Sequence, residues 1–400
     1  MAAIEQQAWE AYRERALALH RRCVVMNAAV MSSQALIQPG RDIGRRWQGQ
    51  APGTGDLDLP RLRDGEVNVL WQAVCGSRGE DEDAIPLQGL KLIDTLLTDV
   101  LERYPEDFEQ ACTAAEVRRI RSSGKIAVLL GMQAGQFLGG SVRALRVFAR
   151  LGVRYMTMTH AFTNRLCDSS SGRILHQGLS DAGRQVVAEM GRLGVIPDIS
   201  HATDQAANQV LDLARGPVIA THSNARALCC PIPEMARTLG AESLEERNLS
   251  DVLLERLAES GGVACVNFAP ALVSQAFSDD YPKVKALRPQ LKAHMEAFKA
   301  DHPGDVLAWR AEQERFLRDQ GITPATLYDV ADHIEYMAGV AGWDHVGIGT
   351  DWEGTGGLHP RHLEDVSTIP SLTAELLHRG HDEERLTKLL GENMLRVLDE

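Results

Sequence analysis

Short apolar runs recur along the chain with amphipathic or charged segments between them, and eight stand out: residues 23–31, 67–75, 126–132, 155–159, 195–199, 217–220, 263–268 and 345–349. Runs that are apolar at nearly every position, rather than at alternate ones, read as strands buried on both faces. Strands that alternate with helices pair in parallel. Eight such units predict an α/β fold, a (β/α)8 TIM-type barrel in a single domain. Helix punctuation agrees: Leu179-Ser180-Asp181-Ala182-Gly183 offers a cap before a helix over 184–193, and Gly194 is placed to stop it. The layout expected is an N-terminal helix over 1–22, then the barrel over 23–400. Two stretches stand outside the repeat, a polar loop around 38–60 and a charged helical insert at about 279–320, each either solvated surface or a cover for the barrel mouth.

Composition narrows the partners. Hydrophobic residues at 44% and charged ones at 24% supply a large core and argue against disorder. A formal charge of −13, with no basic stripe, excludes a nucleic-acid partner, because such binding needs clustered Lys and Arg. Residues 1–22 mix Glu, Gln, Arg and Ala and lack the apolar core and cleavage site of a secretory leader, so a cytoplasmic location is expected. No run approaches the ~20 apolar residues that span a bilayer. Cys23, Cys75, Cys112, Cys167, Cys229, Cys230 and Cys265 show no C-x-x-C pair and no disulfide-framework spacing, so reduced thiols are expected.

In a barrel of this type the chemistry sits at the C-terminal ends of the strands. Polar residues that close or follow an apolar run are therefore the candidates: Gln133, His160, His201, His222, Asn267 and Asp351. Neutral imidazole suits zinc, and His201 and His222, on adjacent strands, are placed to meet at one ion. Two ligands fall short of the usual three, and the amide of Gln133 is a poor third. Asp198 either orients its neighbour His201 or is buried elsewhere. Cys167, Cys229 and Cys230 follow strands on the active-site side, where a thiolate would bind zinc, although their spacing fits ordinary loop positions as well.

Several segments carry a family resemblance. Leu179-Ser180-Asp181-Ala182-Gly183, Arg192-Leu193-Gly194-Val195-Ile196-Pro197-Asp198-Ile199-Ser200-His201 and Pro217-Val218-Ile219-Ala220-Thr221-His222-Ser223-Asn224-Ala225-Arg226 resemble the membrane (renal) dipeptidase family. So do Arg154-Tyr155-Met156-Thr157-Met158-Thr159-His160, Arg247-Asn248-Leu249-Ser250-Asp251, Val346-Gly347-Ile348-Gly349-Thr350-Asp351 and Leu390-Gly391-Glu392-Asn393-Met394-Leu395-Arg396-Val397-Leu398, in the family's order from about Val24 to the C-terminus. The resemblance implies zinc-dependent dipeptide hydrolysis, D-residues at the C-terminal side included, by a homodimer. It implies metal ligation by His201 and His222, substrate polarisation by His160, and capture of the substrate carboxylate by Arg247, with Asn248 and Gln133 beside it. Asp351 would serve metal, water activation and proton transfer.

The departures are localised. Where the family's first strand supplies a His and an Asp from an Asp-Gly-His-Asn-Asp signature, this chain has Met26-Asn27-Ala28-Ala29-Val30, with Ala28 and Val30 at the ligand positions. The bridging glutamate aligns with Gln133. The two-metal centre is therefore expected to be absent, leaving at most one zinc ion. Three readings follow: a hydrolase of small dipeptide-like carboxylates with at most one ion, a metal-independent acid/base enzyme of specialised metabolism, or an inactive binding protein.

Overall fold

The computed structural model describes residues 3–38, 40–47, 55–75, 85–231, 245–302, 305–355 and 357–400. Among the described residues nine strands form one parallel sheet: β1 (Met26–Val30), β2 (Val69–Cys75), β3 (Phe108–Gln110), β4 (Ile126–Gln133), β5 (Val153–Thr157), β6 (Ile196–Asp198), β7 (Ile219–Ala220), β8 (Val263–Val266) and β9 (Val346–Ile348). Eight of them run in the order β1-β2-β4-β5-β6-β7-β8-β9. β3 pairs only with the first half of β4. A bridge between Val30 and Trp352 joins the two edges, with Met31 N–H donating to Trp352 O (3.2 Å) and Asp351 N–H to Ala29 O (3.0 Å). The chain is a nearly closed (β/α)8 barrel.

Every one of the eight expected runs overlaps a barrel strand. The runs were legible because β2 and β4 are buried at all seven and all eight positions, the inner face by the barrel core and the outer face by helices. β5 begins two residues before the expected start, since Arg154 interrupts the apolar run yet reaches out to the carbonyls of Cys112 and Ala149. β3 is too short and polar to register as a strand.

Inside the barrel, alternate residues Val69, Trp71, Ala73 and Cys75 of β2 stack with Met26, Ala28, Ala127, Leu129, Tyr155, Ile196, Ile219, Val263 and Cys265. Tyr155 lies edge-on to Trp71 with centroids 5.2 Å apart, and Gly131 makes room, because a Cβ there would overlap the Tyr155 ring. The helix Asp181–Leu193 has the caps its sequence announces: Ser180 Oγ accepts from Gly183 N–H (3.0 Å), and Gly194 ends it at φ +64°. The N-terminal helix is Ala3–Arg22. The insert forms the helices Gln275–Asp301 and Val306–Asp319, with a small core of Phe277, Val284, Leu291, Met295, Trp309 and Leu317. Within the 38–60 stretch, residues 39 and 48–54 lie outside the described residues. No helix among the described residues is long and apolar enough to cross a membrane.

Candidate active site

Seven of the eight barrel strands contribute a side chain at or just beyond their C-terminal end, Cys75, Gln133, His160, His201, His222, Asn267 and Asp351, while Ala28 lies within β1. Two of these, His201 (φ +68°) and Asp351 (φ +61°), adopt left-handed backbone that non-glycine residues avoid. Strain of this kind, held at strand ends, aims side chains into a site.

Three imidazoles lie side by side. The ring centroids of His160 and His201 are 4.6 Å apart, and those of His201 and His222 are 4.9 Å apart. Nε2 of His201 is 2.9 Å from Nε2 of His222. The tautomer of His222 follows from its other nitrogen. Thr221 Oγ1 donates to Asp198 Oδ2 (2.6 Å), so toward His222 Nδ1, at 2.7 Å, it can only accept, which places the His222 proton on Nδ1 and a lone pair on Nε2. Asp198 also accepts from Thr157 Oγ1 (2.5 Å) and the backbone N–H groups of Ser200 and Thr221. It thus orients His222 through Thr221, rather than its sequence neighbour His201. Burial first, then Arg247 and His160, hold the His222 pKa well below its ordinary value, which keeps the ring neutral.

Arg247 lies under the histidines, 4% exposed. Its guanidinium donates to Ser223 Oγ (3.1 Å) and His222 O (3.1 Å) and sits 3.3 Å from His201 Nε2. Burial pulls its pKa down to about 10 against the pull of Asp351 and Asp198, so it remains a cation at neutral pH. Among the described residues, no carboxylate lies within ion-pair distance of it. Asp351 accepts from Asn267 Nδ2 at Oδ2 (3.2 Å), while its buried Oδ1 has no hydrogen-bond partner among them. Burial, opposed by Arg247 and by the Asn267 and Gln133 amides, pushes its carboxyl up to about 6. The Gln133 amide nitrogen is 3.0 Å from His222 Nε2, and its buried Oε1 is likewise unpartnered.

The other expected residues are placed differently. Asn248 donates its amide to Cys229 O (2.7 Å) and Leu272 O (2.9 Å), and so braces the segment that carries Arg247. Cys167 Sγ faces the Asp168 carbonyl and Cys229 Sγ the Ala271 carbonyl, both fully buried, and burial pushes both thiols up. Nothing in the sequence marks Cys75 as a site residue, because it closes an apolar run and counts as apolar itself. Its Sγ is 3.8 Å from His160 Nε2.

The donor set decides what metal fits. Ala28 and Val30 are fully buried hydrocarbon, and Gln133 is a neutral amide, which leaves Asp351 as the carboxylate of this ring. Among the described residues no three His, Cys, Asp or Glu side chains converge to hold an ion. The two facing Nε2 atoms, however, form a pair of neutral imidazole donors that fits one divalent ion.

Dipeptidase tcpJ of Claviceps purpurea is 32% identical over 363 residues, covering 89% of this chain and 71% of that one. Dipeptidase aclJ of Aspergillus oryzae is 31% identical, covering 86% and 69%. The crystal structure of the probable dipeptidase PvdM from Pseudomonas aeruginosa superposes with a TM-score of 0.77 at 27% identity, covering 98% of each chain. The family is one of metallopeptidases. The family model for Membrane dipeptidase (Peptidase family M19) matches residues 13–400, so the chain belongs to that family.

Proposed function

We propose that this protein hydrolyses small dipeptide-like or amino-acid-derived carboxylates with at most one metal ion, held by His201 and His222. The observation that carries the reading is Arg247: a buried guanidinium, without a carboxylate at contact distance among the described residues, beside three histidines at the barrel mouth. A buried charge of this kind is stabilised when an anion arrives, and its planar fork matches a substrate carboxylate. Asn248 keeps the Arg247 segment in place. With the carboxylate anchored there, the scissile bond falls among His160, the Gln133 amide and Asp351. Asp351, its carboxyl pushed up to about 6 by burial and its Oδ1 available, takes a proton from the attacking water and returns it to the leaving amine. His160 donates toward the carbonyl oxygen. An ion on His201 and His222, when bound, supplies Lewis-acid polarisation of that carbonyl.

A second reading, metal-independent acid/base chemistry on the same carboxylate, is favoured by the contacts already made at the ligand atoms, Arg247 to His201 and Gln133 to His222. Elemental analysis of protein purified without added metal, paired with turnover of a panel of L,L and L,D dipeptides with and without zinc, separates the two. Turnover with no more than one ion per chain is the expected result. Absence of hydrolysis across the panel under both conditions sinks the hydrolase reading. Homodimerisation belongs to the same proposal and is read by light scattering.

A further inference from the structure

The insert helix Val306–Asp319 lies against the loop that follows β9: Gln313 Nε2 donates to Gly357 O (3.0 Å) and Arg310 Nη1 to Asp365 Oδ2 (2.9 Å). Between helix and loop is a cavity of about 330 Å³, at the lower end of the range for small-molecule sites, about 300–1,000 Å³. The described residues that line it include none of the strand-end side chains of the active site. His359 joins its wall to the turn that carries Asp351. The His359 Nε2 is 3.0 Å from Asp56 Oδ1, and Asp56 Oδ2 accepts from Glu353 N–H (3.1 Å).

Arg310, Glu314 and Leu317 stand at i, i+4 and i+7, so one face of the helix supplies a cation, an anion and an apolar side chain to the same cavity. The two charges do not pair with each other. Among the described residues Arg310 uses one N–H of its five, toward Asp365, and Glu314 accepts no hydrogen bond. The ion pairs of Glu314 are with Arg318 at 3.5 Å and Arg361 at 3.8 Å, both on half-exposed side chains, where such pairs contribute little. Arg ahead of Glu is also the weaker order for pairing along a helix, so helix stability does not account for the two charges. Phe277, Leu317 and Leu358, at 3%, 4% and 7% exposed, make the remaining wall apolar.

We propose that this cavity is a second small-molecule site, outside the catalytic residues, that takes a free α-amino acid with an apolar side chain. A carboxylate and an ammonium on one carbon match a guanidinium and a carboxylate one helical turn apart, each with hydrogen-bonding capacity left over. Phe277, Leu317 and Leu358 cover the ligand's side chain. A ligand with only one of the two charges leaves either Arg310 or Glu314 desolvated and unanswered. The site goes beyond the hydrolase reading and does not rest on it.

Ligand-observed NMR titration of the full chain with L-leucine and L-phenylalanine is the test. Two leucine analogues, 4-methylpentanoate and 3-methylbutylamine, lack the ammonium and the carboxylate respectively. The expected result is that at least one amino acid binds, about tenfold or more tighter than either analogue, and that Glu314→Gln and Arg310→Met each weaken it by about tenfold or more. Ala311→Trp fills the cavity from an exposed helix position, where the larger side chain disturbs no buried contact, and should abolish binding. Arg247→Met, at the active site, should leave binding in place. No binding of either amino acid up to about 10 mM overturns the assignment, as do analogues that bind as tightly as leucine. Binding that survives Ala311→Trp, or is lost in Arg247→Met, overturns it too, the latter by placing the amino acid at the active site. Dipeptide turnover measured on the same samples bears on the hydrolase reading alone.

Discussion

Thr221 decides which nitrogen of His222 faces the barrel mouth. Its hydroxyl, held by Asp198, accepts a hydrogen bond from Nδ1–H and leaves the Nε2 lone pair directed at His201 and Gln133. Thr221→Val removes that acceptor, and kcat/KM is expected to fall by about 10- to 100-fold, the usual effect of losing a side chain that orients a metal-ligating histidine. Thr221→Ser should stay near the unsubstituted rate, and steady-state kinetics of the two variants checks the pair. Arg247→Met takes away the charge-assisted contact to the substrate carboxylate. A loss of about 100-fold in kcat/KM is expected, with cleavage of substrates lacking that carboxylate unaffected. The acid limb of the rate profile should follow Asp351. Its carboxyl lies near 6, so activity that needs the ionised form rises as pH climbs through that value, and Asn267→Ala, which deletes a hydrogen bond to the charged form, should move the limb upward. The histidines and Asp351 were visible in the sequence because they interrupt or follow apolar runs at strand ends. Thr221 and Cys75 were not, since a β-branched residue and a thiol both pass as strand interior. Only their neighbours in space give them a role.

At the scale of elements, the N-terminal helix Ala3–Arg22 is tied down by a buried histidine. His20 bonds Gly65 O through Nδ1 (3.0 Å) and Thr373 Oγ1 through Nε2 (2.8 Å), and burial lowers its pKa to about 4. His333 is lowered similarly, to about 4, while bonding Ala225 N–H and Val273 O. The folded state refuses a proton that the unfolded chain accepts below about 6.5. Stability from each group is therefore complete above that pH and declines as pH falls toward 4, by roughly 3 kcal/mol per histidine. Urea unfolding across pH 4–7 should show this slope, and His20→Gln should flatten about half of it. The strands themselves were legible for the same reason the helix caps were: continuous burial leaves continuous hydrophobicity, and Ser180 and Gly194 carry the backbone demands of their positions. β3 escaped because three residues, Phe108-Glu109-Gln110, pair only with the start of β4 and need no apolar run.

At the scale of the whole molecule, two of the three positions that depart from the family's ligand pattern fall on the seam where the barrel closes, and the third, Gln133, lies on β4. Ala28 and Val30 sit on β1, and the seam is fastened by Asn27, whose amide donates to Thr350 Oγ1 (2.7 Å) and accepts from Thr350 N–H (3.0 Å), with the Val30–Trp352 bridge beside it. Gln133→Glu puts a carboxylate into the buried ring, so the protein without metal should lose roughly 1–3 kcal/mol, recovered when zinc is added. Calorimetry with and without zinc measures that difference. A ring that joins its first strand to its last through a side-chain amide has no need of an ion as a clasp. Closure does not run through an ion, so a chelator should lower the unsubstituted protein's Tm only by the ion's own binding free energy and leave the barrel folded even where it stops catalysis. The barrel would persist intact through metal starvation and resume work on resupply without refolding.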